Sequence, residues 1–162
     1  MNRYILSILV ENHSGVLSKM AGLFTRRGYN IDSLTVSVTD DPSISRTTIV
    51  VSGDEQIIEQ IVKQLNKLID VIKILEICPE KSVSRELALI KVSAEQSTRS
   101  LIIEVVNTFR ANIVEMNPKN MIIEVTGDEE KVSAFVELMK PYGIKEIVRT
   151  GLAVLQRRSE MY

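Results

Sequence analysis

Several residue types are scarce in this chain, and each scarcity excludes a class of protein or of site. A single cysteine, Cys78, excludes an intrachain disulfide and a cysteine-rich metal site. The absence of tryptophan, with only 3 Phe and 4 Tyr, leaves little from which to build a base-stacking surface for nucleic acid. No apolar run approaches the roughly 18 residues of a membrane-spanning helix, and we expect no secretory leader before the first strand pattern. We therefore expect a soluble, cytoplasmic protein.

Charge of one sign is also missing, since 20 Lys and Arg face 21 Asp and Glu and the net charge is -1. A nucleic-acid binder usually carries a basic surplus or patch, so this balance argues against one. Hydrophobic residues make up 44% of the 162 residues, enough to build a core in one ordinary domain or two small ones.

Catalytic chemistry has few candidates here. The one histidine, His13, lies in a polar stretch, and we interpret it as a solvated side chain rather than a base or ligand. Asp40-Asp41 precede Pro42 and are interpreted as turn residues rather than metal ligands, and Cys78 as a buried strand residue. No metalloprotease, redox or phosphate-loop motif occurs, so we expect no catalytic residues, metal or cofactor. A small enzyme is the least favoured alternative.

Hydrophobic periodicity predicts the same element order, βαββαβ, twice. The first copy has strands at about 3–11, 30–39, 45–52 and 71–78, with helices at 15–27 and 55–68. The second has strands at about 85–93, 112–117, 121–126 and 144–155, with helices at 98–109 and 128–140. We predict an α+β protein of two ferredoxin-like domains, residues 1–78 and 85–162, joined by a linker at 79–84. Each domain is an antiparallel sheet backed by two helices.

The second copy keeps the scaffold and loses one feature of the first. Gly53-Asp54-Glu55 and Gly127-Asp128-Glu129 open corresponding helices, and Asn30-Ile31 corresponds to Asn112-Ile113 at an offset of 82 residues. At that offset Asn12 falls on Ala94 and Gly15 on Ser97. The scaffold therefore does not need the polar glycine turn of the first copy.

That turn, residues 12–17, lies between the first strand and the first helix. Asn12 and Ser14 can cap the helix, and Gly15 allows close approach of a ligand to the backbone. Unpaired N–H groups at a helix N-terminus form a small anion site, which suits the carboxylate of a free amino acid. Spacing alone leaves a second interpretation equally open, a capped helix with a glycine for packing.

Three segments resemble one family closely. They are residues 12–17 (NHSGVL), residues 28–36 (GYNIDSLTV) and residues 39–46 (TDDPSISR). The first alone would indicate only an ACT domain. The other two are far more specific, and the chain is similar over its whole length to the regulatory (small) subunit of acetolactate synthase, also called acetohydroxyacid synthase.

The resemblance implies a non-catalytic chain in branched-chain amino-acid synthesis, including valine and isoleucine. Such a subunit activates a catalytic subunit and confers feedback inhibition, usually by valine. The catalytic partner, rather than this chain, is expected to carry thiamine diphosphate, Mg²⁺ and FAD. ACT domains of the family pair side by side in a homodimer, with the effector at the interface. The alternative is a free-standing ACT-domain sensor that acts on another partner.

Carried over by motif, the resemblance also implies which residues bind. The effector would contact Asn12, Gly15, Val16 and Leu17 of one protomer and Asn30 and Ile31 of the neighbouring protomer. The polar face of the second strand and the 40–46 hairpin, with Asp40, Asp41 and Arg46, are the expected contacts with the catalytic subunit.

Overall fold

The computed structural model describes residues 2–158 and confirms two βαββαβ folding units. The first unit contains residues 2–83 together with 152–158, and the second contains residues 84–151. Each consists of an antiparallel sheet with two α-helices, as the sequence predicts.

The first unit has four strands in the spatial order β2-β3-β1-β4. Its elements in chain order are β1 (Asn2–Glu11), α1 (Val16–Arg27), β2 (Ser33–Val38), β3 (Ile44–Gly53), α2 (Glu55–Leu65) and β4 (Val71–Ile77). The α1 helix ends at Gly28, whose left-handed conformation lets its backbone N–H cap the last carbonyls. The element types match the prediction and the boundaries differ by a few residues at strand and helix ends.

The second unit repeats this order as β6-β7-β5-β8. Its elements are β5 (Ser82–Ser93), α3 (Arg99–Thr108), β6 (Asn112–Met116), β7 (Asn120–Gly127), α4 (Glu129–Met139) and β8 (Ile144–Arg149). The segment predicted as a linker forms a 3-10 turn at Pro79–Lys81, after which Ser82 already begins β5.

Each unit has its own core between sheet and helices. In the first, Leu6, Ile8 and Ile49 of the sheet pack with residues of both helices that include Phe24 and Leu65. Helical periodicity predicts which residues of each helix face the core. For α2 and α4 the predicted residues are buried or half-buried: Ile58, Ile61, Val62, Leu65, Val132, Phe135, Val136 and Met139. For α1 and α3 the prediction is wrong in part, because it includes Leu17 and Leu101, which are exposed, and omits Val16 and Val106, which are buried.

The edge strand β2 also differs from the prediction that its polar face would be the exposed one. Its apolar residues Leu34, Val36 and Val38 are exposed, whereas Ser33 and Thr35 on the other face are half-buried. The cause is position: β2 pairs only with β3 and lies at the edge of the sheet, where the helices cover it less.

The prediction of one long last strand over residues 144–155 is wrong, because the structure has two short strands there. The first of them, β8, stops at Arg149, and Gly151 adopts a left-handed conformation. A separate short strand, β9 (Ala153–Gln156), then pairs with β5, which begins inside the first unit. Leu152 and Val154 pack on the other face of the first sheet, where they form a small second core with Val50 and Ile77.

Cys78 is exposed, so its interpretation as a buried strand residue is wrong. The β4 strand ends at Ile77, which is buried, and Cys78 begins the 3-10 turn. No helix within the described residues combines the length and apolar character needed to cross a bilayer.

Candidate functional site

The turn between β1 and α1 leaves the first backbone N–H groups of α1 without a side-chain cap. Gly15 is the N-cap residue with φ 89°, and no side chain there accepts a hydrogen bond from the helix. By contrast, Asp54 and Asp128 cap α2 and α4 through their carboxylates. The expectation that Asn12 or Ser14 caps α1 is therefore wrong, because the left-handed glycine occupies the N-cap position. The free N–H groups and the helix dipole favour an anion.

Gly15 meets two requirements of such a site. Its left-handed backbone would strain most other residues by roughly 1–2 kcal/mol. No heavy atom lies within 4 Å of the point where a Cβ would stand, so the backbone here is open to close approach. Val16, next to it, is buried in the core and can offer only its backbone, while the side chain of Leu17 is exposed.

Asn12 is held by the hairpin between β2 and β3 rather than by the helix. Its backbone N–H donates to the Ser43 carbonyl at 2.7 Å, and its side-chain Nδ2 donates to the Pro42 carbonyl at 2.9 Å. The buried Ser45 hydroxyl donates to Asn12 Oδ1 at 3.0 Å. The hairpin that we expected to contact a partner subunit is thus hydrogen-bonded to the turn between β1 and α1.

His13 is not simply solvated. Its Nε2 lies 2.9 Å from Oδ1 of the buried Asp70 and 3.4 Å from a Glu11 oxygen, and its Nδ1 lies 3.1 Å from the Ser14 carbonyl. Both ring nitrogens therefore face acceptors, an arrangement that only the doubly protonated ring satisfies. The pKa of His13 is raised, first by the Ser14 carbonyl and further by the carboxylates of Asp70 and Glu11.

Lys19 completes this cluster and determines its character. Its Nζ donates to Asp70 Oδ2 at 2.8 Å, and this contact is the main reason that the pKa of Asp70 is lowered. Glu11, His13 and Asp70 place ligand-type atoms within 4.8 Å of one another, but the Lys19 ammonium already neutralises the buried carboxylate. Asp70 and Lys19 were missed from the sequence, because residues 51 apart are brought together only by the fold.

Asn30 and Ile31 lie at the opposite end of the first sheet from the turn. Asp32, next to them, donates its backbone N–H to the Val50 carbonyl, whereas Asn12 donates its backbone N–H to the Ser43 carbonyl near the other end of β3. At about 3.4 Å per strand residue, Val50 and Ser43 are roughly 24 Å apart. Within one chain the structure does not bring Asn30 to Asn12, and the Asn30 amide instead donates to Asp32 at 3.3 Å.

The three expected partner contacts have different surroundings. Asp41 accepts from the Ser43 backbone at 2.8 Å and from its hydroxyl, and these bonds lower its pKa. Arg46 reaches across the sheet to donate to the buried Ser7 hydroxyl at 2.8 Å. Asp40 is exposed at the hairpin. Asp41 and Arg46 are therefore held within the unit, whereas Asp40 points to solvent.

Comparison with known families matches almost the whole chain in two parts. Residues 6–73 match the "AHAS small subunit-like ACT domain", and residues 85–158 match the "Small subunit of acetolactate synthase".

Individual proteins agree with these matches. The chain is 55% identical over 155 residues to the "Probable acetolactate synthase small subunit" of Archaeoglobus fulgidus, covering 96% of this chain and 97% of that one. It is 46% identical over 157 residues to the "Acetolactate synthase small subunit" of Bacillus subtilis, covering 96% and 91%. The crystal structure of the acetolactate synthase small subunit from Thermotoga maritima superposes with a TM-score of 0.88 at 41% identity, covering 98% and 99%.

Proposed function

The chain belongs to the family of acetolactate synthase small subunits, the regulatory, non-catalytic chains of that enzyme, and from this premise we propose that it binds a branched-chain amino acid at the turn after β1. The effector we propose first is valine. Binding inhibits the catalytic subunit that this chain otherwise activates. The observation that carries the proposal is the uncapped N-terminus of α1 behind a left-handed Gly15, with the Asn12 amide beside it.

A free amino acid is both an anion and a cation, and the turn suits both ends. The backbone N–H groups at Gly15, Val16 and Leu17 point their donors toward a carboxylate, which the α1 dipole also favours. The Asn12 amide can both donate and accept, so its oxygen is available to an ammonium group. The side chain of a branched aliphatic amino acid matches the exposed apolar surface of Leu17.

A second copy of the chain is proposed to complete the site with its Asn30 and Ile31. These residues lie at the other end of the sheet, so a partner that supplies them must run in the opposite direction. Antiparallel pairing of two β2 edge strands about a twofold axis has this effect. The exposed Leu34, Val36 and Val38 on β2 supply the apolar contact that such an interface needs.

Binding between two protomers turns the effector into a signal about their arrangement. Valine then inhibits if it binds the inhibited arrangement of the holoenzyme more tightly than the active one. The hairpin at Asp40 is the proposed contact with the catalytic subunit, since its neighbours are bonded to the effector turn. The catalytic subunit would carry the thiamine diphosphate, Mg²⁺ and FAD of the reaction, and the complex would be cytoplasmic.

The experiment is reconstitution with the catalytic subunit, followed by titration of its rate with valine, leucine and isoleucine. We expect activation by the wild-type chain and inhibition by valine at the lowest concentration. In Gly15→Asp the added carboxylate faces that of the ligand, and like charges at about 4 Å cost about 1–4 kcal/mol, a loss of affinity of roughly 5- to 1,000-fold.

Two variants serve as controls for this change. Asparagine has nearly the same shape as aspartate and tolerates a left-handed backbone as well, but it carries no charge. Gly15→Asn should therefore lose less affinity for valine than Gly15→Asp. Ser97→Asp places the same carboxylate at the corresponding position of the second unit and should leave inhibition unchanged. Wild-type inhibition in Gly15→Asp, or equal losses in the Asp and Asn variants, would reject a carboxylate site at this turn.

A further inference from the structure

Ser45, the second of the two serines in residues 39–46 (TDDPSISR), has a hydrogen-bond partner that the sequence did not reveal. Ser45 lies near the start of β3 and is 6% exposed, and its hydroxyl donates to Asn12 Oδ1 at 3.0 Å. Its backbone pairs with Val10 of β1 on one side and Val38 of β2 on the other. The hydroxyl is therefore fixed by a central strand of the sheet.

Two neighbours determine which way the Asn12 amide faces. The Pro42 carbonyl can only accept a hydrogen bond, so the atom 2.9 Å from it must be the amide nitrogen. The Ser45 hydroxyl then donates to the amide oxygen. The hairpin in turn is fixed by Asp41, whose carboxylate binds the backbone and hydroxyl of Ser43. The amide keeps one N–H and one oxygen lone pair that these contacts do not use.

We propose that Ser45 is a positioning residue for effector recognition, holding the Asn12 amide with its spare donor and acceptor directed at the ligand. The proposal rests on the function assigned above to Asn12. The terminal torsion of an asparagine is broad and roughly two-fold, so an amide held at one end only samples more than one orientation. Ser45 reduces that freedom before the ligand arrives.

The second unit shows that the hydroxyl is not needed to build the fold. Val92 of β5 corresponds to Val10 and pairs with Met121, which therefore takes the place of Ser45. Ala94 takes the place of Asn12, and both Ala94 and Met121 are fully buried. Where the asparagine is absent the serine is absent too, and an apolar pair fills the same place.

The test measures valine binding to the full chain by calorimetry, with thermal unfolding as a check on folding. Ser45→Ala removes one neutral hydrogen bond to Asn12 and should weaken binding by about 2- to 12-fold. Ser45→Thr keeps the donor and should restore affinity. Ser45→Cys keeps nearly the size of serine but replaces the hydroxyl with a poor hydrogen-bond donor, so it should weaken valine binding as much as Ser45→Ala does. It provides a second measurement if Ser45→Ala folds badly.

A double variant separates positioning from direct contact. Asn12→Ala should weaken valine binding by about 10- to 150-fold. If Ser45 acts only through Asn12, the double variant Asn12→Ala/Ser45→Ala should bind valine no more weakly than Asn12→Ala alone. The matched control is Thr48→Val, because Thr48 is a buried hydroxyl residue of the same strand on the other face of the sheet. It should bind valine as the wild type does.

The outcomes distinguish the two proposals. Unchanged affinity in Asn12→Ala would reject the effector site itself. If Asn12→Ala weakens binding but Ser45→Ala does not, or if the Ser45 effect persists without Asn12, the positioning role is rejected and the effector site stands.

Discussion

Neither α1 nor α3 has a side-chain N-cap, but the first unit bonds its turn to the hairpin through the side chain of Asn12, whereas the second unit uses an arginine. Arg99, which corresponds to Leu17, directs its Nη2 to the carbonyls of Ala94, Asn117 and Pro118 at 3.0–3.2 Å. The backbone link to the hairpin is the same in both, since Ala94 donates to Lys119 as Asn12 donates to Ser43.

The same scaffold therefore carries either a turn whose asparagine keeps unused hydrogen-bonding groups or a turn whose carbonyls are bound by an arginine. In the first unit the Asn12 side chain links the turn to the hairpin, and its amide retains one N–H and one oxygen lone pair for a further hydrogen bond. In the second unit a guanidinium takes up the carbonyls and places a charge beside the helix N-terminus, where a cation is unfavourable unless other groups bind it. We infer that the second turn is structural and that effector recognition belongs to the first.

The first unit also depends on a segment from the far end of the chain, and this dependence gives the largest predicted effect. Leu152 is 3% exposed and packs in the small core with Val50 and Ile77. Leu152→Ala should lower the free energy of unfolding by roughly 2–5 kcal/mol, the usual cost of such a cavity. Denaturant unfolding of the full chain at fixed concentration measures it.

The matched control lies three residues further on. Leu155 is 64% exposed, so Leu155→Ala should change stability by less than about 0.5 kcal/mol. Equal effects of the two variants would mean that the end of the chain does not stabilise the first unit. A chain truncated near Lys81 would lack Leu152 and Val154, which pack on the first sheet, so the first unit is better tested within the full chain.

Arg99→Met tests whether the second turn is structural, with a smaller expected effect. Methionine keeps much of the side-chain length but leaves three carbonyls without the guanidinium, which should destabilise the chain by about 1–3 kcal/mol. Arg85, an exposed arginine with one local carbonyl partner, provides the control Arg85→Met. Valine inhibition should be unchanged in both variants, and altered inhibition in Arg99→Met would contradict the division between the units.

The titration of His13 is the smallest predicted effect and is confined to the first turn. Because its pKa is raised above 6.5, the protonated ring stabilises the turn below that pH, and this stability is lost as pH rises through the raised pKa. The chain has 1 His, so NMR follows it without ambiguity. In Asp70→Asn the pKa of His13 should fall, since a carboxylate that favours the protonated ring is lost. A wild-type value at or below 6.5 would contradict the contacts described.

Local sequence signals predicted much of the fold, such as helices that open at Asp54-Glu55 and at Asp128-Glu129, because these signals act within one turn of the chain. The structure adds that the carboxylates of Asp54 and Asp128 cap those helices. Exposure was less predictable: Leu34, Val36 and Val38 alternate as a buried face would, yet β2 lies at an edge. Cys78 was placed wrongly because the strand ends one residue before it.

The candidate site divides in the same way. Asn12 and Gly15 were proposed from a polar glycine turn between a strand and a helix, a local pattern that the second copy lacks at a fixed offset. Ser45, Asp70 and Lys19 were not, because their partners in the turn are far along the chain. The same offset places Arg99 on Leu17, a signal that only the structure made meaningful.

By itself, the sequence determined the doubled βαββαβ order and the polar glycine turn, since hydrophobic periodicity and glycine preferences are local properties. Tertiary structure decided what lies around that turn. Sheet pairing brings the hairpin to Asn12 and Asp70 to His13, and the chain end returns to the first sheet at Leu152. These contacts depend on which strands become neighbours, and a periodic pattern does not encode that order.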